Sequence, residues 1–124
     1  MPNNARILYI EDTFENRILI RRILQAEGFT VIEAENATTA LEVLKEETPD
    51  LILMDINMPD IDGYTLTAQL RTIPRLSNIP IIALTANVMR GDRERTLAAG
   101  CDGYIQKPID VDTLPHQIEH YLNR

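Results

Sequence analysis

Five short apolar runs recur along the chain, near residues 6–11, 30–34, 50–55, 79–85 and 102–107. Each is followed by a stretch in which apolar residues return every three or four positions. Runs of that length, bounded by polar, glycine or proline residues, fit strands, and the longer spacing fits helices. Ile20, Ile23 and Leu24 give the first helix its inner face, and Gly28 stands where helices terminate. Asn36 suits the N-cap of the second, with Ala37, Ala40, Leu41 and Leu44 turned inward. Leu66 and Leu70 mark the third, and Val111, Leu114, Ile118, Tyr121 and Leu122 the last. Pro115 inside that last segment disfavours helical geometry at Leu114, so the helix either begins nearer Asp112 or has a loose first turn. The fourth helix, about 87–99, is different: Arg90, Gly91, Asp92, Arg93, Glu94 and Arg95 leave few apolar anchors before Leu97. A helix with little buried surface has low local stability and moves at modest cost.

Strict alternation of strand and helix predicts an α/β fold, a doubly wound five-stranded parallel sheet with right-handed crossovers. Central parallel strands are buried on both faces and read as unbroken apolar runs, whereas edges tolerate polar residues. The first, third and fourth runs are unbroken; the second carries Thr30 and Glu33, and the fifth is short and holds Gln106. Placing the second and fifth at the edges with the first, third and fourth in the centre fits the order 2-1-3-4-5. It makes the first and third strands flank the topological switch point, where such sheets bind ligands at the strands' carboxyl ends. No linker or repeat interrupts the pattern, so residues 1–124 are expected to form a single domain.

Composition narrows the function. Twelve basic against 19 acidic residues give a formal charge of −7 with no basic block, which argues against direct nucleic-acid or anionic-membrane binding. The single cysteine, Cys101, excludes an internal disulfide and a cysteine-based zinc cage, and fits a small buried residue. No apolar stretch approaches a membrane span or a signal-peptide core, so the expected location is cytoplasmic.

The runs end in chemically pointed residues: Glu11-Asp12, Asp55, Thr85-Ala86 and Lys107-Pro108. Each alone has a plain reading as a turn or cap residue. Together, on neighbouring parallel strands, they bring three carboxylates, a hydroxyl and an ammonium to one rim. Crowded carboxylates raise one another's proton affinity unless a cation lies among them. The donors are all hard oxygens, which points to Mg2+, with Asp12 and Asp55 as direct ligands, Glu11 acting through water and Asn57 offering its backbone carbonyl. A carboxylate in such a site is a competent nucleophile towards phosphorus. Lys107, the Thr85 hydroxyl and the Ala86 N–H would then neutralise the phosphoryl oxygens. The Lys107-Pro108 bond is a candidate for the cis isomer.

Asp55-Ile56-Asn57-Met58-Pro59 followed by Asp62-Gly63, with the Glu11-Asp12 pair, Thr85-Ala86 and Lys107-Pro108, resembles the receiver domain of two-component response regulators, the CheY-like family. The match runs motif by motif through nearly the whole chain, and the flavodoxin-like order 2-1-3-4-5 is also what it implies. The resemblance implies that Asp55 accepts a phosphoryl group from a phosphohistidine on a histidine kinase or histidine phosphotransfer protein. Glu11 and Asp12 would be its acidic Mg2+ pocket, although aspartate is more frequent at the position of Glu11. Thr85 would be the switch hydroxyl, Tyr104 the switch aromatic, Lys107 the phosphate-contacting lysine, and Asn57 and Asn87 the positions that tune phosphoryl lifetime. The fourth helix, fifth strand and fifth helix would form the output surface towards a downstream protein, with a phosphorylation-dependent dimer left open. Met1-Pro2 favours a natural start, and Glu15-Asn16-Arg17 resembles stand-alone regulators and receivers attached to hybrid kinases.

Two rivals come from other classes. A Mg2+-dependent phosphohydrolase with an aspartyl-phosphate intermediate would want a second acid shortly after its nucleophile, where Asn57 stands. A flavodoxin-like cofactor binder would place N–H groups and hydroxyls where this chain has carboxylates. His116-Gln117-Ile118-Glu119-His120 matches a zinc-peptidase pattern but reads as a solvated face near the chain end. Asp60-Ile61-Asp62-Gly63 resembles part of a calcium loop, without the later glutamate.

Overall fold

Residues alternating within each apolar run build the two faces of one sheet. The computed structural model describes residues 5–58, 60–86 and 90–123, with the side chains of 90–93 left out. Strands β1 (Arg6–Ile10), β2 (Thr30–Ala34), β3 (Leu51–Asp55), β4 (Ile81–Thr85) and β5 (Gly103–Gln106) pair in parallel in the order β2-β1-β3-β4-β5. Every residue of β3 and β4 is buried, whereas β2 and β5 include half-buried and exposed positions, as edge strands do.

Helices α1 (Phe14–Ala26), α2 (Ala37–Glu46), α3 (Gly63–Arg71), α4 (Arg90–Ala98) and α5 (Leu114–Leu122) cover the two faces. Ile7, Tyr9, Leu51, Leu53, Ile82, Leu84 and Ile105 point to one side and pack with Ile20 and Leu24 of α1 and Leu114 and Ile118 of α5. Their sequence neighbours Leu8, Ile10, Ile52, Met54, Ile81 and Ala83 point to the other, against Ala37, Ala40 and Leu44 of α2 and Leu66 and Leu70 of α3. Period-two alternation thus divides one continuous apolar run between two cores.

The caps account for the helix ends. Asn36 accepts the Thr39 N–H at 2.8 Å, and Asp62 accepts the Thr65 N–H at 2.9 Å. Gly28, at φ 94°, takes the left-handed conformation that lets α1 stop, with the Phe29 N–H returning to the Leu24 carbonyl at 3.1 Å. Arg71 ties three segments together. Its guanidinium donates to the carbonyls of Gly100 (2.9 Å), Ser77 (3.1 Å) and Ile79 (2.8 Å) and to Asp102 (2.7 Å).

Three expectations change. The last helix starts at Leu114, later than either Asp110 or Asp112, and Pro115 sits in its first turn, where a backbone N–H has no intrahelical acceptor to lose. Val111 therefore precedes the helix and is exposed. In α4 the expected anchor Leu97 is also exposed, and Thr96 is buried in its place with its hydroxyl 3.2 Å from that of Tyr64. The described part of the helix runs from Arg90, and the segment 87–89 expected to open it lies outside the described residues.

Candidate functional site

Parallel register sets the rim. Asp55 is the last residue of β3 and pairs with Leu84, one residue before Thr85 at the end of β4. Ile10 pairs with Met54, so Glu11 and Asp12 leave β1 beside Asp55. The Lys107 N–H donates to the Thr85 carbonyl at 2.8 Å, extending β5 to the same edge. Side-chain oxygens of Glu11, Asp12 and Asp55 consequently lie within 4.8 Å of one another. Among the described residues, this is the one cluster of three or more acidic, histidine or cysteine side chains close enough to share an ion.

Glu11 and Asp55 are buried, at 1% and 3% exposure, while Asp12 is open to solvent. The Lys107 ammonium donates to Asp55 Oδ2 at 2.9 Å and stands 3.7 Å from Glu11 Oε1. The Asn57 N–H donates to Asp55 Oδ1 at 3.0 Å, so both Asp55 oxygens are held. One ammonium faces two buried carboxylates. Burial above all, then a hydrogen bond with Asp55 and its charge, pushes the Glu11 carboxyl up to about 7, against the opposing pull of Lys107 and the Thr13 N–H.

Thr85 is buried and Ala86 exposed at the end of β4, and Tyr104 is half-buried on β5, packed against the α2/α3 core. The Lys107-Pro108 peptide is cis. Asn87, expected to tune lifetime, and Pro59 of the Asp55 motif lie outside the described residues.

Three contributors escaped the sequence reading. Tyr9 is wholly buried and its hydroxyl donates to Glu11 Oε1 at 3.3 Å; burial, then the Glu11 charge, raises its own proton affinity far above the phenol range. A phenol inside an otherwise aliphatic strand was the available signal. Arg17 donates to the backbone carbonyls of Glu11 (2.8 Å) and Asp12 (3.3 Å), fixing the turn that presents them. Asp60 reaches from the loop after β3 to the start of α2, accepting the N–H groups of Ala37 (3.2 Å) and Thr38 (3.0 Å). Desolvation works against ionisation there, but these bonds, with those from Ile61 and the Thr38 hydroxyl, outweigh it and hold the carboxyl at about 2. The partial calcium-loop pattern is thereby explained: Asp60 and Asp62 each cap a helix. His116 and His120 lie exposed on α5 and border one shallow depression with Thr113, Gln117 and Tyr121. They belong to no three-ligand cluster among the described residues.

The response regulator receiver domain family model matches residues 7–119. The polar-differentiation response regulator DivK of Brucella anthropi is 41% identical over 122 residues, covering 98% of both chains. The structure of chemotaxis response regulator CheY4 of Vibrio cholerae superposes with a TM-score of 0.91 at 25% identity, over 96% of this chain and 99% of that one. The receiver domain of a Pseudomonas aeruginosa PAO1 sensor histidine kinase, which carries a magnesium ion in its active-site cleft, has a TM-score of 0.89 and 33% identity over 98% of this chain and 100% of that one.

Proposed function

The chain belongs to the response regulator receiver domain family, and from that premise we propose that Asp55 is its phosphoacceptor in a two-component phosphorelay. The observation that carries the proposal is the buried Asp55 carboxylate, held by Lys107 at 2.9 Å and grouped within 4.8 Å of Glu11 and Asp12. Three hard carboxylate donors suit Mg2+, with Glu11, Asp12, Asp55 and the Asn57 carbonyl as the groups that would hold it. When bound, Mg2+ supplies the positive charge that offsets both the crowded carboxylates and the phosphoryl oxygens.

An Asp55 oxygen attacks the phosphorus of a phosphohistidine on a histidine kinase or phosphotransfer protein. The P–O bond forms as the P–N bond breaks, and the imidazole leaves with the electron pair and takes up a proton. Lys107 offers its ammonium to one phosphoryl oxygen, and the Thr85 hydroxyl with the Ala86 N–H to another. Movement of Thr85 draws Tyr104 inward and alters the face made by α4, β5 and α5, through which a downstream protein, or a second copy, reads the state. Asn57 and Asn87 are uncharged amides and would set phosphoryl lifetime without acting as strong bases. On this reading residues 1–124 work as one cytoplasmic receiver unit that catalyses only its own phosphorylation and dephosphorylation. None of the described helices is long and apolar enough to cross a membrane. The phosphohydrolase alternative is disfavoured: Asn57 stands where such an enzyme would place its proton donor, and the family match points to signalling.

Acetyl phosphate with Mg2+ tests this directly. The expected result is one acid-stable, base-labile phosphoryl group per chain, mapped by mass spectrometry to Asp55 and abolished in Asp55→Asn. Sustained turnover of simple phosphate esters would favour the hydrolase instead.

A further inference from the structure

Asp60 caps a helix that is not its own: its loop leaves Asp55, and the helix it caps follows β2, which is bonded to the Glu11-Asp12 turn. Its carboxylate accepts the Ala37 N–H at 3.2 Å, the Thr38 N–H at 3.0 Å and the Thr38 hydroxyl at 2.9 Å, all on α2, and the Ile61 N–H of its own loop at 2.8 Å. Asn36 supplies the remaining first-turn acceptor, for Thr39. The first three N–H groups of α2, which no intrahelical carbonyl can serve, are thus divided between a local cap and a distant one.

On one side, α2 follows β2, whose last residue Ala34 accepts the Glu11 N–H through its carbonyl at 3.0 Å. The start of α2 is therefore fixed relative to the Glu11-Asp12 turn. On the other side, Asp60 lies in the loop that leaves Asp55. That loop is closed by the Gly63 N–H on the Ile56 carbonyl at 3.0 Å, a close approach in which an added Cβ at Gly63 would stand 2.9 Å from the Ile56 Cα. Between those anchors lies Asn57, whose N–H holds Asp55 Oδ1.

We propose that Asp60 is a positioning residue that sets the separation between the Glu11-Asp12 and Asp55-Asn57 halves of the cation site while touching neither. The inference rests on the reading of that site as a divalent-cation site. Removing a group that orients ligands from outside typically weakens metal binding by about tenfold or more, even though no ligand is lost.

The test is calorimetric titration of Mg2+ into the unaltered protein, Asp60→Ala, Asp60→Asn and Asn36→Ala, in about 0.5 M salt to screen a bare charge effect. Asp60→Ala is expected to bind Mg2+ about tenfold more weakly. Asp60→Asn, which keeps one acceptor oxygen, should recover part of the loss. Asn36→Ala removes a cap from the same helix but leaves the strut between loops, so its Mg2+ affinity should match the unaltered protein. With acetyl phosphate, Asp60→Ala should need more Mg2+ for half-maximal labelling yet reach a similar maximal rate. Unchanged affinity in Asp60→Ala, or an equal loss in Asn36→Ala, would overturn the positioning role. Failure of the unaltered protein to bind Mg2+ would overturn the site reading itself, and the inference with it.

Discussion

Lys107→Ala is expected to slow phosphorylation of Asp55 by about 10²–10³-fold at fixed Mg2+, the usual consequence of removing one preorganised charge from a transition state. Lys107 is the ammonium paired with two of the three carboxylates, 2.9 Å from Asp55 and 3.7 Å from Glu11. Its place at the end of β5 is fixed by its own N–H on the Thr85 carbonyl, so the charge is aimed before any phosphodonor arrives. Loss of the ammonium also removes a positive charge beside two carboxylates of the cation site, so the variant should bind Mg2+ at least as tightly, and the slower labelling then belongs to the phosphoryl step. Lys107→Arg keeps the charge but replaces a compact point with a planar fork, and partial recovery is expected. Single-turnover labelling with acetyl phosphate, followed by intact-mass spectrometry, measures the rates. A rate for Lys107→Ala within a few-fold of the unaltered protein would remove Lys107 from the mechanism.

Arg71→Ala is expected to give the largest loss of stability of any partly exposed residue, about 2–4 kcal/mol. The guanidinium serves carbonyls at the end of α4 and in the segment leading into β4, as well as Asp102, which itself accepts the Ile81 N–H at 2.9 Å. The side chain is 20% exposed, so water replaces only part of what it provides. Arg71→Lys should recover little, because one ammonium cannot span acceptors placed for a fork. Urea unfolding gives the comparison. A full rescue by lysine would show that charge alone matters.

The edge and central strands were legible because burial on both faces leaves Leu51–Met54 and Ile81–Leu84 unbroken, while Glu33 and Gln106 betray the edges; the order among the central three came with the family resemblance. The acidic trio was legible because strand ends are visible as the points where apolar runs stop. Hydrogen bonds across loops leave no such trace. Asp60 could have been read as a local turn residue or part of a calcium loop; only the folded chain brings it to α2. Arg17 likewise acts on backbone carbonyls, which carry no sequence signature. Val111 was misplaced because it fits the helical spacing of α5, yet it lies in the turn that the Thr113 and Leu114 N–H groups close on the Asp110 carbonyl, and the regular helix begins at Leu114 with Pro115 in its first turn.

The central claim is that the fold buries and crowds carboxylates beyond what they tolerate without a cation. Stability measured by chemical denaturation from pH 4.5 to 8, with and without Mg2+, tests it when the unaltered protein is compared with Glu11→Gln. The Glu11 carboxyl is raised in the folded state from its ordinary 4.5 to about 7, so the folded chain binds the extra proton and rising pH costs stability across that window. The difference between the two proteins should shift by about 3 kcal/mol against the unaltered chain as pH passes from below 4.5 to above 7. Millimolar Mg2+ should restore that stability at pH 8 and have little effect at pH 4.5, where protons compete for the same oxygens. A difference that stays flat with pH, together with no stabilisation by Mg2+ at pH 8, would contradict the account.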